Sequence, residues 1–238
     1  YIPRPFKCRA KNKPIERLLR ELRRVKPELH ISIANSSDPY PPVEAKLELT
    51  RKALRELLPR GYRVQLITKS DLVVRDLDLI QNGNCSVSIT VTTLDDKLAS
   101  KLEPLAPPPK RRIKALETLT RSGVPCSARI DPIIPGINDN PAVIRRMCGW
   151  VAENLGDDVP LHFLKFYARY KLKDLDPTSL QALENAREIA LSSGLRYVYI
   201  SNIPFHSAKN TYCPRCKNTL VERENNATVK NAIKDGTC

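Results

Sequence analysis

Strand-like and helix-like stretches alternate at regular intervals along this chain, and that alternation limits the fold more than any single motif. Short apolar runs such as "YRVQLITKS", "CSVSITVTT" and "VPLHFLKFY" have the length and β-branched content of strands. Between them lie amphipathic helical stretches. "IERLLRELRRVK" sets Ile15, Leu18, Leu19 and Leu22 at spacings of three and four, and "EAKLELTRKALRELLPRG", "PKRRIKALETLTRSG", "PAVIRRMCGWVAENLG" and "TSLQALENAREIALSSG" each run to a glycine. A shorter helix is read in "RDLDLIQNG". Strands are expected near residues 30–34, 63–68, 85–91, 126–131, 160–166 and 197–201. Such βα repetition without a helix-only block predicts an α/β protein with a parallel sheet curved into a partial barrel. The pattern stops near Asn210, so the reading is a barrel over residues 1–209 and a small appended hairpin over 210–238.

Polar residues gather where the strands end: Ser36, Ser37 and Asp38, then Lys69 and Ser70, Thr92 and Thr93, and Asp131. In parallel barrels the carboxyl ends of the strands build the active site, so these residues are candidates for a ligand site. Lys69 has two readings. It is either paired with a carboxylate such as Asp38 or Asp131, or a fixed cation for a carboxylate or phosphate on a ligand. His162 is a buried strand histidine or a group facing the ligand. His30 and His206 read as structural, and Cys85 and Cys126 as core thiols. Asp38-Pro39 and Asp131-Pro132 end strands, because the residue before proline is held extended.

At 238 residues the chain is long enough to bury about 70% of its unfolded surface without disulfides. Its seven cysteines are an odd number, and Cys8, Cys85, Cys126 and Cys148 stand isolated, which suits a reducing cytosol. Neither a signal peptide nor a membrane-length apolar run occurs, so a cytoplasmic protein without membrane attachment is expected. Forty basic against twenty-six acidic residues give +14, which suggests a nucleic acid or another polyanion as partner, against a merely solvated basic surface. The Gly-rich phosphate loops and HExxH are missing, which removes those nucleotide-binding and protease classes.

The tail "TYCPRCKNTLVER" places Cys213 and Cys216 at metal-ligand spacing, and Cys238 is a third thiol at the last residue. A closed structural zinc site takes four ligands. His206 is the local candidate for the fourth. A redox-active Cys213–Cys216 pair is the rival reading, but no thioredoxin-like βαβ pattern precedes it.

Long phrases carry a family resemblance. "YIPRPFKC", "IANSSDPYPPVEAKLELTR", "ITKSDLVVRDLDLI", "SVSITVTTLDDKLASKLEPLAPPPKRRIKAL" and "IDPIIPGIND", in order over residues 1–139, resemble spore photoproduct lyase-like members of the radical S-adenosylmethionine (SAM) enzymes. Residues 140–238, from "WVAENLGDDVPLHFLKFYARYK" through "YISNIPFHSAKNTYCPRCKNTLVER", resemble a second radical SAM group, AmmeMemoRadiSam, related to pyruvate formate-lyase-activating enzymes.

The resemblance implies a partial (β/α)6 TIM-type barrel of the radical SAM kind with a zinc-ribbon-like hairpin. It implies a 4Fe–4S cluster on three cysteines of a CxxxCxxC loop, SAM on the open iron, and reductive cleavage to a 5′-deoxyadenosyl radical that abstracts hydrogen from a DNA, protein or small-molecule substrate. A reductant such as ferredoxin or flavodoxin is then a partner. By position, Ser36, Ser37, Asp38, Lys69 and Ser88 match SAM-contacting residues of the lyase-like group. Ile134 to Gly136 match a segment that packs against adenine, and His162 matches a histidine near SAM in activating enzymes. Cys213, Cys216 and Cys238 match a zinc ribbon whose fourth ligand lies further on. CxxxCxxC is missing from these residues, so the chain reads as clipped at both ends. A cluster-free basic barrel that binds nucleic acid or protein is the alternative.

Overall fold

The computed structural model describes residues 12–33, 37–224 and 227–234. The chain divides into two compact units, Tyr1–Cys126 and Ser127–Cys238. The first contains α1 (Pro14–Leu22), β1 (His30–Ile33), α2 (Glu44–Leu47), α3 (Leu49–Leu57), β2 (Arg63–Thr68), α4 (Leu77–Ile80), β3 (Cys85–Thr90), α5 (Asp96–Leu102) and α6 (Pro109–Arg121). β1 pairs with β2 and β2 with β3, all parallel, with Ser32 beside Gln65 and Ile67 beside Ser88.

Side chains alternate across a strand, so this register sorts the unit into two faces. Val64, Leu66, Val87 and Ile89 point one way and are buried; Leu116 and Leu119 of α6 join them in the core. Each fully buried side chain of this size contributes roughly 1.5–3 kcal/mol. The opposite face carries Ser32, Gln65, Ser86 and Ser88, and just past the end of β2, Lys69. The polar strand ends therefore belong to a polar face of the sheet.

The second unit contains β4 (Cys126–Ile133), α7 (Pro141–Leu155), β5 (Leu161–Lys165), α8 (Leu180–Ser192) and β6 (Val198–Ser201), followed by β7 (Thr211–Tyr212), β8 (Thr219–Glu224) and β9 (Ala227–Asn231). β4, β5 and β6 pair in parallel, and β7, β8 and β9 form a separate antiparallel sheet. Ala128, Ile130, Leu161, Phe163, Val198 and Ile200 form the buried face, and Arg129, His162 and Tyr199 share one rung of the other. Asn140 and Ser179 cap α7 and α8, each accepting a backbone N–H at the first turn.

Six parallel strands, three in each unit, alternate with helices as the sequence predicts. Five local details differ, the first being the tail, which is a three-stranded antiparallel sheet rather than the expected hairpin because Ala227–Asn231 pairs with β8. α1 stops at Leu22, because the Tyr62 hydroxyl donates to the Val25 carbonyl at 2.8 Å and holds "RRVK" as a turn. The single helix expected over "EAKLELTRKALRELL" is two, broken at Glu48, whose φ is 51°. The Glu44 carboxylate folds across the break and accepts from the N–H groups of Leu49 and Thr50, both at 2.9 Å. α5 was not anticipated; Asp95 starts it by accepting from Lys97 and Leu98. β4 runs on through Asp131-Pro132 to Ile133 rather than ending at Asp131. No helix among the described residues is long and apolar enough to cross a membrane.

Candidate functional site

In the first unit, Asp38 organises the end of β2. Its Oδ1 accepts from the Thr68 hydroxyl at 2.6 Å and the Tyr40 N–H at 2.8 Å, and its Oδ2 accepts from the Lys69 N–H at 2.7 Å. Thr68 Oγ1 in turn accepts from the Ser70 N–H. Asp38 thus fixes the main chain at Lys69 and leaves its ammonium to other partners. Beneath it, the Tyr40 hydroxyl donates to the fully buried Asp76 at 3.1 Å, and Asp76 also holds Arg51 and Arg75. This ion network, with Arg75 on Glu44 and Arg51 on Asp78, ties the loop after β1 to the segment after β2.

The Lys69 ammonium lies 2.5 Å from Glu103 Oε1, so it is paired with a carboxylate, but a different one from those expected. Asp38 is short and its oxygens are taken by the backbone and Thr68; Glu103 reaches the ammonium from the end of α5. Glu103 Oε1 also accepts from the Thr92 hydroxyl at 2.7 Å, and Oε2 from Arg112 at 2.5 Å. Burial pushes the Glu103 carboxyl up, but Lys69 and Arg112 together outweigh it and hold the group below the usual carboxylate range. Lys69 is one-third exposed, whereas the Arg112 side chain is 1% exposed.

Ser88 is buried on β3, on the same face as Lys69, and Ser37 is exposed. Ser36 lies outside the described residues. Asp38 and Lys69 are therefore directly joined, and Ser88 shares the sheet face of Lys69. Glu103 and Arg112 were missed by sequence reasoning. The signal for Arg112 was available: it stands in register with the apolar stripe Ala115, Leu116 and Leu119 of α6, where a charge needs a buried partner.

In the second unit, Ile134 and Gly136 form a tight turn directly after β4. The Ile137 N–H donates to the Ile134 carbonyl at 3.1 Å, with Pro135 and Gly136 in the middle and Gly136 at φ 70°. That is a type II turn, which needs a positive φ at its third residue and favours proline at its second. The buried Asn138 locks it, accepting from the Ile134 N–H at 2.6 Å and donating to the Pro132 carbonyl.

His162 stacks on Tyr199 with ring centroids 4.9 Å apart, and its Nδ1 lies 3.1 Å from Ser201 Oγ. Burial, with Arg129 and Arg223 nearby, pushes its pKa down to about 4, so the imidazole is neutral near pH 7. Arg129 pairs with Asp131 at 2.9 Å, and Arg223 of β8 lies over the Tyr199 ring. The Tyr199 and Thr211 hydroxyls meet at 2.9 Å.

Cys213 and Cys216 sit on the β7–β8 turn, where the Cys213 N–H donates to the Asn218 carbonyl at 2.8 Å and the Lys217 N–H to the Cys213 carbonyl at 3.0 Å. Cys213 is buried and Cys216 exposed; Cys238 lies outside the described residues. Both ring nitrogens of His206 are engaged, one by the Ala208 N–H and the other facing Glu184. Burial raises Cys85, Cys126 and Cys148 to about 12, so all three remain thiols at neutral pH.

Comparison with known proteins gives one family match and a set of related folds. The family model described as "Radical SAM superfamily" matches residues 2–147, more than half of the chain. An uncharacterised protein of Methanocaldococcus jannaschii is 46% identical over 91 residues, 38% of this chain and 27% of that protein. A second from the same organism is 36% identical over 115 residues, 48% of this chain and 44% of its own. The chain thus spans less than half the length of these curated relatives.

Among solved structures, Streptococcus suis SuiB bound to S-adenosylmethionine superposes with a TM-score of 0.61 at 15% identity, over 82% of this chain and 45% of that one. A domain of pyruvate-formate lyase-activating enzyme from Bacteroides vulgatus gives 0.58 at 15%, covering 74% of this chain and all of that domain. A spore photoproduct lyase variant gives 0.53 at 12%, over 78% and 64%. These likenesses are of fold.

Proposed function

The chain belongs to the radical SAM superfamily, and on that premise we propose that it is the catalytic barrel of an enzyme that binds S-adenosylmethionine at the polar strand ends of its first unit. The observation that carries this reading is the joined pair Asp38 and Lys69, with Lys69 on the same face as Ser88, inside the stretch that matches the family. In this reading, the Lys69 ammonium meets the ligand's carboxylate in a charge-assisted contact. Asp38 holds the main chain that carries the lysine, and Ser88 supplies a hydroxyl. In the second unit, taken by itself, the resemblance makes Ile134 and Gly136 candidates for backbone and apolar contact with a base, and neutral His162 a candidate ring that carries no charge.

The cluster is a different matter. The 238 residues contain one C-x-x-C and no C-x-x-x-C-x-x-C, so the three ligands that the family chemistry uses are not among them. Reductive cleavage of S-adenosylmethionine followed by hydrogen abstraction is the reaction class proposed for the full-length gene product. Its substrate is a DNA, protein or small molecule, and a ferredoxin or flavodoxin is its reductant. Cys213 and Cys216 fit one half of a structural zinc site on residues 210–238, beside a barrel over 1–209. Metal analysis of the full-length protein tests this, with stoichiometric zinc lost on Cys216→Ser as the expected result.

The test of ligand binding is calorimetry with S-adenosylmethionine on the anaerobically prepared full-length protein. Lys69→Met should weaken binding about tenfold or more, the size of a lost charge-assisted hydrogen bond. Unchanged affinity removes the lysine from the site.

A further inference from the structure

Lys69 is the cation of the proposed site, yet it ends a flexible four-carbon stem on a half-exposed strand end, so something must hold it. Asp38 does not, because its oxygens serve Thr68, Tyr40 N–H and Lys69 N–H. Glu103 does, at 2.5 Å. Glu103 is itself anchored from inside: Arg112 meets its second oxygen, and the Arg112 guanidinium also donates to the carbonyls of Pro107 at 2.7 Å and Thr90 at 3.3 Å. Side-chain exposure rises along the chain of contacts, from 1% at Arg112 to 10% at Glu103 and 34% at Lys69.

Charge makes the arrangement suit a ligand. A lone Lys–Glu pair would be neutral and offer an anion little. Two cations around one carboxylate leave a net +1, displayed at the exposed end. The ammonium has three donors, and Glu103 is its one acceptor among the described residues. Burying Arg112 in the apolar stripe of α6 carries a desolvation cost that a purely structural contact would not need, since apolar residues of similar volume often do as well.

We propose that Glu103, anchored by the buried Arg112, is a positioning residue that fixes the Lys69 ammonium toward the carboxylate of an amino-acid-type ligand. This rests on the reading that Lys69 contacts S-adenosylmethionine. That ligand carries a sulfonium, an ammonium and one carboxylate, so removing the Glu103 charge brings no electrostatic gain and the loss of positioning dominates.

The experiment is a double-substitution cycle on the anaerobically prepared full-length protein, with S-adenosylmethionine affinity read by calorimetry and folding by circular dichroism. Glu103→Gln should weaken binding about tenfold alone and have no further effect in a Lys69→Met background. If Glu103→Gln does not fold, Thr92→Val, which removes the hydroxyl on Glu103 Oε1, should give a smaller loss that also vanishes beside Lys69→Met. Equal losses in both backgrounds, or none in either, overturn the inference while leaving the Lys69 site intact. A protein whose affinity ignores Lys69→Met, or that binds no S-adenosylmethionine at all, overturns the proposed site and this inference with it.

Discussion

His162 is neutral at physiological pH because folding places it against Tyr199 and Ser201 and near two guanidinium groups, Arg129 and Arg223, that disfavour a third positive charge. Its folded pKa of about 4 lies below its ordinary value. The stability it contributes is therefore fully present above that ordinary value and is lost as pH falls toward 4. Between pH 7 and pH 5 the loss should be about 2 kcal/mol, and His162→Asn, which does not titrate, should show that much less dependence in denaturant unfolding. Gly136 makes a second residue-scale prediction. At φ 70° a side chain meets its own backbone, so Gly136→Ala should cost about 1 kcal/mol, seen as a lower unfolding midpoint, even though the space around it is open.

Among the elements, those with strong periodicity were legible in the sequence. The six parallel strands, α6, α7 and α8 follow from apolar spacing, and the structure adds Asn140 and Ser179 as caps of the last two. What was not legible depends on contacts distant in sequence or on a short signal. α5 is two turns long and offers little periodicity; its start is the Asp95 cap, and Asp95→Ala should destabilise by about 1 kcal/mol, measurable by thermal unfolding. The break at Glu48 depends on Glu44, whose partner Arg75 is thirty-one residues away. The candidate site divides in the same way. Asp38 and Lys69 stand out as polar residues at strand ends. Glu103 gains its meaning only when α5 and α6 bring it between Lys69 and Arg112.

At the scale of the whole molecule, a net charge of +14 is a statement about partners and solubility rather than about fold. It predicts salt-sensitive retention on a polyanionic matrix, unchanged by Lys69→Met, because one charge in so large an excess contributes little. The family match and the parallel strands of each unit agree on membership of the radical SAM superfamily. We propose that this fold serves radical chemistry rather than a binding role. The most direct measurement is to purify the full-length gene product anaerobically, supply S-adenosylmethionine and a strong reductant, and follow 5′-deoxyadenosine and methionine. The account predicts iron and acid-labile sulfide in the protein and release of both products, greatly reduced by Lys69→Met. A full-length protein free of iron and sulfide, binding polyanions but forming no 5′-deoxyadenosine, would contradict it.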